Sequence, residues 1–186
     1  LDPQPGDNVL DACSAPGSKT THLAELMENN GKIWAVDRSS SRLNLVAANS
    51  KRMRASSINI LEADSSELLQ IKPQWKDYFQ RILLDVPCSG LGTLARHPDA
   101  RWRMTPKKID ELVALQMKLM NKTLPLLSPG GRIVYSTCTI HPEENSRQIN
   151  RFIDSFPEVK LINQQQILPH FDKGGDGFYI AVLERE

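Results

Sequence analysis

At 186 residues, with 40% hydrophobic and 24% charged side chains, the chain has the length and composition of one globular domain with a full core, and a second domain is not expected. Its formal net charge of +1 excludes the global basic excess of a self-sufficient nucleic-acid binder, so any nucleic-acid contact must be local or supplied by another region. The cysteines, Cys13, Cys88 and Cys138, are widely spaced with no CxxC pair, which argues against a disulfide framework and a zinc site and for a reducing, cytoplasmic setting.

The chain opens without methionine on Leu1-Asp2-Pro3-Gln4-Pro5-Gly6, a loop feeding a strand, and is expected to be a fragment or a processed product. No signal peptide is visible and no apolar run reaches the length of a membrane span. Asn8 to Ala12 reads as the first strand, followed by a loop of small residues, Cys13 to Ser18. Lys19 to Met27 has a helical spacing of Leu23, Leu26 and Met27. Lys32 to Val36 is a second strand ending in Asp37. Ser39 to Met53 is a helix capped by Ser39, Ser40 or Ser41, with Leu43, Val46 and Ala47 inward. Ser57 to Leu61 is a third strand, after which Asp64-Ser65-Ser66 is expected to cap a short helix.

Arg81 to Val86 is a fourth strand, apolar enough to be covered on both faces. Pro87 to Arg103 is a long Gly/Pro-rich segment of the kind that carries function in compact domains. Thr105-Pro106 opens the longest helix, with Ile109, Leu112, Val113, Leu115 and Leu119 inward. Arg132 to Tyr135 is a fifth strand after the turn signal Pro129-Gly130-Gly131, and His141-Pro142-Glu143-Glu144-Asn145 starts a helix that runs to about Phe156. Val159 to Ile162 and Gly177 to Leu183 are two late strands; the last is expected to be antiparallel because Gly174-Gly175-Asp176-Gly177 can turn the chain. The alternation of strand and helix predicts an α/β fold, a mostly parallel sheet with helices on both faces.

Cys138 sits where the fifth strand hands over to a helix, at the ligand-binding edge of such a sheet, and a nearby helix N-terminus favours its thiolate. That makes it a candidate nucleophile, against the alternative of inert packing. The loop after the first strand, Asp11-Ala12-Cys13-Ser14-Ala15-Pro16-Gly17-Ser18-Lys19, is neither GxGxxG nor GxxxxGK[ST], which weakens pyrophosphate and triphosphate readings. Gly17 allows close backbone approach, Asp37 stands where a carboxylate accepts from ribose hydroxyls, and Asp64 stands where one can face an adenine amino group. The pattern fits adenosine without phosphates. On its residues alone Cys13 reads as packing, and Lys19 can pair with Asp11 or Asp85.

Asp85-Val86-Pro87-Cys88-Ser89-Gly90-Leu91-Gly92-Thr93, with Tyr135-Ser136-Thr137-Cys138-Thr139 and the loop from Asp11 to Thr20, resembles the RNA cytosine-5 methyltransferases of the Sun/Fmu type. Bacterial enzymes of small-subunit ribosomal RNA are the nearest likeness. The resemblance covers nearly the whole chain, including His97 to Arg103, His141 to Asn145 and Asp176-Gly177-Phe178, and a paired PC and TC motif at this spacing is highly specific. It implies a Rossmann-like class I methyltransferase fold of seven strands with the last antiparallel. The implied methyl donor is S-adenosylmethionine, leaving S-adenosylhomocysteine, with no metal. Carried over by position, Cys13, Ser14, Ala15, Pro16, Gly17, Ser18 and Lys19 form the donor loop, Asp37 binds the ribose, Asp64 lies by the adenine and Asp85 is at the reaction centre, beside Lys19. Cys138 matches the nucleophile and Cys88 the second cysteine that finishes the reaction. Ser18 replaces a second glycine of the family, which matters if the backbone there needs φ > 0. The RNA-binding region that such enzymes carry before this core is expected to be absent, leaving residues 1–186 as a catalytic domain, expected to be monomeric.

The chemistry explains two cysteines. C5 of cytosine is a poor nucleophile until a thiolate adds to C6, and the adduct must then be released by loss of the C5 proton. Arg96, His97, Arg101, Trp102 and Arg103, with Lys107 and Lys108, form a basic and aromatic stretch after Cys88 that suits a phosphate clamp and stacking surface beside an unpaired, flipped cytosine; a solvated loop with Trp102 in the core is the alternative. The motifs fix the base and not the polymer: ribosomal RNA is favoured, and transfer RNA, DNA or a donor-binding module without catalysis remain the rivals.

Overall fold

A computed structural model describes residues 1–170 and 175–186. The strands are β1 (Asn8–Asp11), β2 (Lys32–Asp37), β3 (Ile58–Glu62), β4 (Phe79–Asp85), β5 (Leu127–Thr137), β6 (Val159–Ile167) and β7 (Phe178–Arg185). The helices are α1 (Ser18–Leu26), α2 (Ser40–Met53), α3 (Leu68–Ile71), α4 (Ala100–Arg103), α5 (Pro106–Thr123) and α6 (Ser146–Ser155). The strands form one seven-stranded sheet in the order β3-β2-β1-β4-β5-β7-β6. β1 to β5 run parallel, and β7 is antiparallel to both β5 and β6. This is the doubly wound arrangement expected from the alternation of elements. Gly174, part of the turn expected before β7, lies outside the described residues.

Strands buried on both faces alternate their side chains between two apolar layers. Leu10, Ile82, Leu84, Ile133 and Tyr135 pack with Leu119, Met120, Ile149 and Phe152 of α5 and α6. Val9, Ile33, Leu83 and Val134 pack on the other face with Leu23, Ala24 and Met27, at and just beyond α1. Thr105 caps α5 by accepting from the Lys108 amide at 3.2 Å, with Pro106 in the first turn. Ser39 is the cap of α2, accepting from the Arg42 amide at 3.4 Å.

Several expectations are corrected. Leu26 is half exposed, because the buried stripe of α1 runs through Thr20, Leu23 and Ala24 to Met27, and Ala47 of α2 faces solvent while Leu43 and Val46 are buried. Pro129-Gly130-Gly131 does not turn the chain ahead of β5; it lies within the strand. There Gly130 takes φ +72° and the pairing with β4 slips between Phe79 and Arg81, so the glycines accommodate a bulge. The helix expected from His141 starts at Ser146, after one 3₁₀ turn over Pro142–Glu144. Asp64 does not cap α3, which begins at Leu68; its Oδ1 turns back on Ser66, accepting from the amide at 2.8 Å and the hydroxyl at 2.7 Å. The architecture leaves the C-terminal ends of β1 to β5 along one edge, where the site lies.

Candidate active site

Register builds the centre. β4 and β5 pair so that Asp85 lies opposite Ser136, and Asp85 accepts from the Ser136 hydroxyl at 2.7 Å. Its other oxygen accepts from Lys19 Nζ at 2.7 Å. The ambiguity over Lys19 is thereby resolved, since Asp11 instead accepts from the Thr20 hydroxyl at 2.7 Å. Cys88 and Cys138, fifty positions apart in the chain, follow the ends of these same two strands with their sulfurs 3.3 Å apart.

The two thiols are not equivalent. The Cys138 thiol is lowered to about 7, chiefly by the hydrogen bond that Cys88 donates, with burial opposing and Lys19 assisting. The Cys88 thiol is pushed up, first by that same bond and then by burial, so of the two Cys138 is the more readily ionised. The helix N-terminus expected to favour the thiolate is not the main cause, since α6 begins at Ser146; the neighbouring thiol is. Cys138 is also fixed by backbone: its carbonyl accepts from the Gly92 amide at 3.0 Å, and the Gly92 carbonyl accepts from the Gly177 amide at 2.7 Å.

A cavity of about 380 Å³ opens beside the thiols, within the size range of small-molecule sites. Of the residues expected to hold the donor, Cys13, Ala15, Asp37, Asp64 and Asp85 line it, together with Cys88 and Cys138, whereas Ser14, Pro16, Gly17, Ser18 and Lys19 do not. Gly17 shapes the loop instead, with φ +103° and an added Cβ only 3.0 Å from Val46 Cα. Ser18 is the exposed first residue of α1 and has no positive φ, so the glycine it replaces is not required here. Asp37 closes β2, accepting from the Ser39 amide at 3.0 Å and facing Arg42 at 3.3 Å. The hydrogen bonds of Ser66 hold the Asp64 carboxyl below its usual range while engaging only one of its oxygens. Burial pushes the Cys13 thiol up, which suits the packing role read from the sequence even though the residue touches the cavity.

Sequence reasoning missed Arg42, whose guanidinium donates to the Ala15 carbonyl at 2.7 Å and so ties the loop to Asp37. Its position in the first turn after an acidic strand end was the available signal. Leu115 and Leu119, expected as core, also form an apolar wall of the cavity. The basic stretch after Cys88 does not line the cavity. Trp102 is 82% exposed rather than core, Arg101 and His97 are exposed, Arg103 pairs with Asp99 at 2.9 Å, and Arg96 pairs with Asp176. Among the described residues no group of three His, Cys, Asp or Glu is arranged to hold a metal, and no helix is long and apolar enough to cross a membrane.

The chain is similar to known proteins. A relative in Synechocystis sp., named "Probable ribosomal RNA small subunit methyltransferase B", is 43% identical over 201 residues, covering 100% of this chain and 44% of the relative. The ribosomal RNA small subunit methyltransferase B of Pectobacterium atrosepticum is 39% identical over 192 residues, covering 98% of this chain and 43% of its own length. The chain thus spans less than half the length of these relatives. The crystal structure of NSun6 from Pyrococcus horikoshii with SFG superposes with a TM-score of 0.86 at 33% identity, covering 98% of this chain and 49% of that one. The family described as 16S rRNA methyltransferase RsmB/F matches residues 1–184. With the match covering all but the last two residues, the chain belongs to the 16S rRNA methyltransferase RsmB/F family.

Proposed function

We propose that this chain binds S-adenosylmethionine and transfers its methyl group to C5 of an unpaired cytosine in RNA, small-subunit ribosomal RNA being the favoured substrate. S-adenosylhomocysteine is the second product. The observation that carries the reading is the pair of sulfurs 3.3 Å apart on the wall of a cavity that also holds Asp37 and Asp64. The residues present fit an adenosine group: Asp37 for ribose hydroxyls, Asp64 with one oxygen free of donors among the described residues for an amino group, and Leu115 and Leu119 as an apolar wall for the ring. The SFG present with the Pyrococcus NSun6, an S-adenosylmethionine analogue, supports the same assignment. When bound, the donor supplies an electrophilic methyl group on a sulfonium.

The protein's residues then act on the cytosine. Cys138, as thiolate, forms a bond from Sγ to C6, and the electron pair of the C5–C6 double bond becomes available at C5 to take the methyl group. Asp85, which Lys19 and Ser136 hold as an acceptor, takes a hydrogen bond from the exocyclic amino group and fixes the base. Release requires the C5 proton to leave, either to Cys88 once it has given up its own thiol proton to solvent or to a base that Cys88 positions. The C5–C6 double bond then re-forms and the Sγ–C6 bond breaks, returning Cys138 as thiolate. Arg101 and the exposed Trp102, with His97, Arg96 and Arg103, supply phosphate contacts and a stacking face for the RNA flanking the flipped base.

The test offers labelled donor with small-subunit ribosomal RNA or transfer RNA to the protein and to two variants. Cys138→Ala is expected to abolish transfer and keep donor binding. Cys88→Ala is expected to accumulate a covalent protein–RNA adduct on denaturing gels. An adduct in the first variant and none in the second would reverse the two roles.

A further inference from the structure

Glu144 is completely buried, and no cation lies within ion-pairing distance among the described residues. A buried carboxylate is costly unless hydrogen bonds compensate it. Here three donors converge on it: the Ser89 amide at 2.9 Å and Gln116 Nε2 at 3.0 Å on Oε1, and the Ser89 hydroxyl at 2.5 Å on Oε2. Gln116, also completely buried, donates in addition to the Pro87 carbonyl at 2.9 Å. Pro87 and Ser89 are the two neighbours of Cys88. The Glu144–Gln116 pair therefore grips the chain on both sides of that thiol.

The next residue does the same for the other thiol. Asn145, 1% exposed, accepts from the Thr137 hydroxyl at 2.7 Å and donates to the Thr139 carbonyl at 2.9 Å, gripping the two neighbours of Cys138. A directed chain joins the two grips. The His141 amide donates to the Thr139 hydroxyl at 3.1 Å, Thr139 donates to the Ser89 hydroxyl at 2.7 Å, and Ser89 donates to Glu144. Each hydroxyl has one proton to give, and the direction is set by an acceptor-only carboxylate at its end. A neutral amide at position 144 presents an NH₂ group to donors and breaks that order.

We propose that Glu144 and Asn145 are positioning residues for the methyl transfer, holding the loops of Cys88 and Cys138 in the register that brings their sulfurs into contact. The assignment rests on the proposed cysteine chemistry for its consequence, but its geometry is testable without RNA. Glu144 acts on the reaction only through Cys88 and Cys138.

The experiment measures alkylation of Cys138 by iodoacetamide against pH, read by mass spectrometry of the Cys138 peptide, in the parent, Glu144→Gln and Ser89→Ala. In the parent the thiol is expected to be half reactive near pH 7. Both variants are expected to move that midpoint up toward the ordinary thiol value of about 8.5, Glu144→Gln against the small opposing effect of losing a negative charge. They are also expected to retain more protein–RNA adduct than the parent, in the manner of Cys88→Ala, while donor binding stays intact. Should Glu144→Gln fail to fold, the Ser89→Ala midpoint decides alone, because that change removes a single hydroxyl. An unshifted Cys138 midpoint in the folded variants overturns the proposal. A shifted midpoint with no transfer to any RNA by the parent would uphold the positioning role and overturn the reading of function instead.

Discussion

The reactivity of Cys138 is a property of a pair. Isolated, a thiol is only a few per cent ionised at neutral pH, and partial burial makes ionisation harder. Cys88 reverses this by donating its S–H across 3.3 Å, and Lys19, 2.7 Å from Asp85, adds positive charge that offsets the nearby carboxylate. Replacing Cys88 by alanine removes the donor and leaves the burial. Cys88→Ala is therefore expected to raise the half-reactive pH of Cys138 from about 7 to the ordinary thiol range or beyond. At pH 7 its alkylation should slow severalfold. Cys13 is an internal reference in the same digest: burial pushes its thiol up, so it should stay unlabelled at neutral pH in parent and variant alike. A Cys138 midpoint that stays near 7 without Cys88 would assign the low value to some other group.

The segment after β4 is held to the sheet by backbone, and this decides which glycines matter. A Cβ on Gly92 would lie 2.2 Å from the Gly177 carbonyl oxygen and 2.8 Å from that of Cys138, both main-chain atoms, whereas Gly130 in the β5 bulge has open space and only its φ of +72° to satisfy. Gly92→Ala must shift the strand end that carries Cys138, and misplacement of a reacting group by about 1 Å costs up to a hundredfold in rate. It is expected to lower methyl transfer at least tenfold with donor affinity retained, by paired transfer and calorimetric titrations. Gly130→Ala should cost roughly 1 kcal/mol in urea unfolding and leave transfer unchanged. The contrast also marks what was legible in sequence. Elements declared by local chemistry, such as the apolar run of β4 or the Thr105-Pro106 start of α5, were readable to within a residue or two. Pro129-Gly130-Gly131 was not, because the same residues encode a turn or a bulge and only pairing with β4 chooses between them. The site divides in the same way: acids at strand ends and two cysteine motifs are local signals, but the source of Cys138 acidity and the grip of Glu144 on Ser89 depend on contacts fifty and fifty-five positions apart.

At the scale of the whole molecule, a sheet edge that gathers acidic groups for binding carries a cost in stability, and Asp11 shows its sign. Asp11 is 1% exposed at the end of β1; Thr20 donates to Oδ2, and among the described residues Oδ1 has no hydrogen-bond partner. Its carboxyl is pushed up to about 7, first by burial, with Asp85 adding repulsion and the Thr20 bond opposing. In the unfolded chain the same group titrates near 3.8. Between these values the folded state binds the extra proton, so stability from this group falls as pH rises and the loss is complete above about 7. The difference of about 3 pH units corresponds to roughly 4 kcal/mol at most, less whatever relaxation of the buried site recovers. Asp11→Asn keeps an oxygen for Thr20 and removes the titration. Subtracting parent from variant isolates Asp11 from Asp64, whose depressed value contributes with the opposite sign at lower pH. In urea unfolding the two proteins are expected to be of similar stability near pH 4, and the variant should gain steadily up to pH 8. A variant no more stable than its parent at pH 8 would mean that Asp11 is not held neutral by the fold, and that the acidic edge is compensated by groups other than its own protonation.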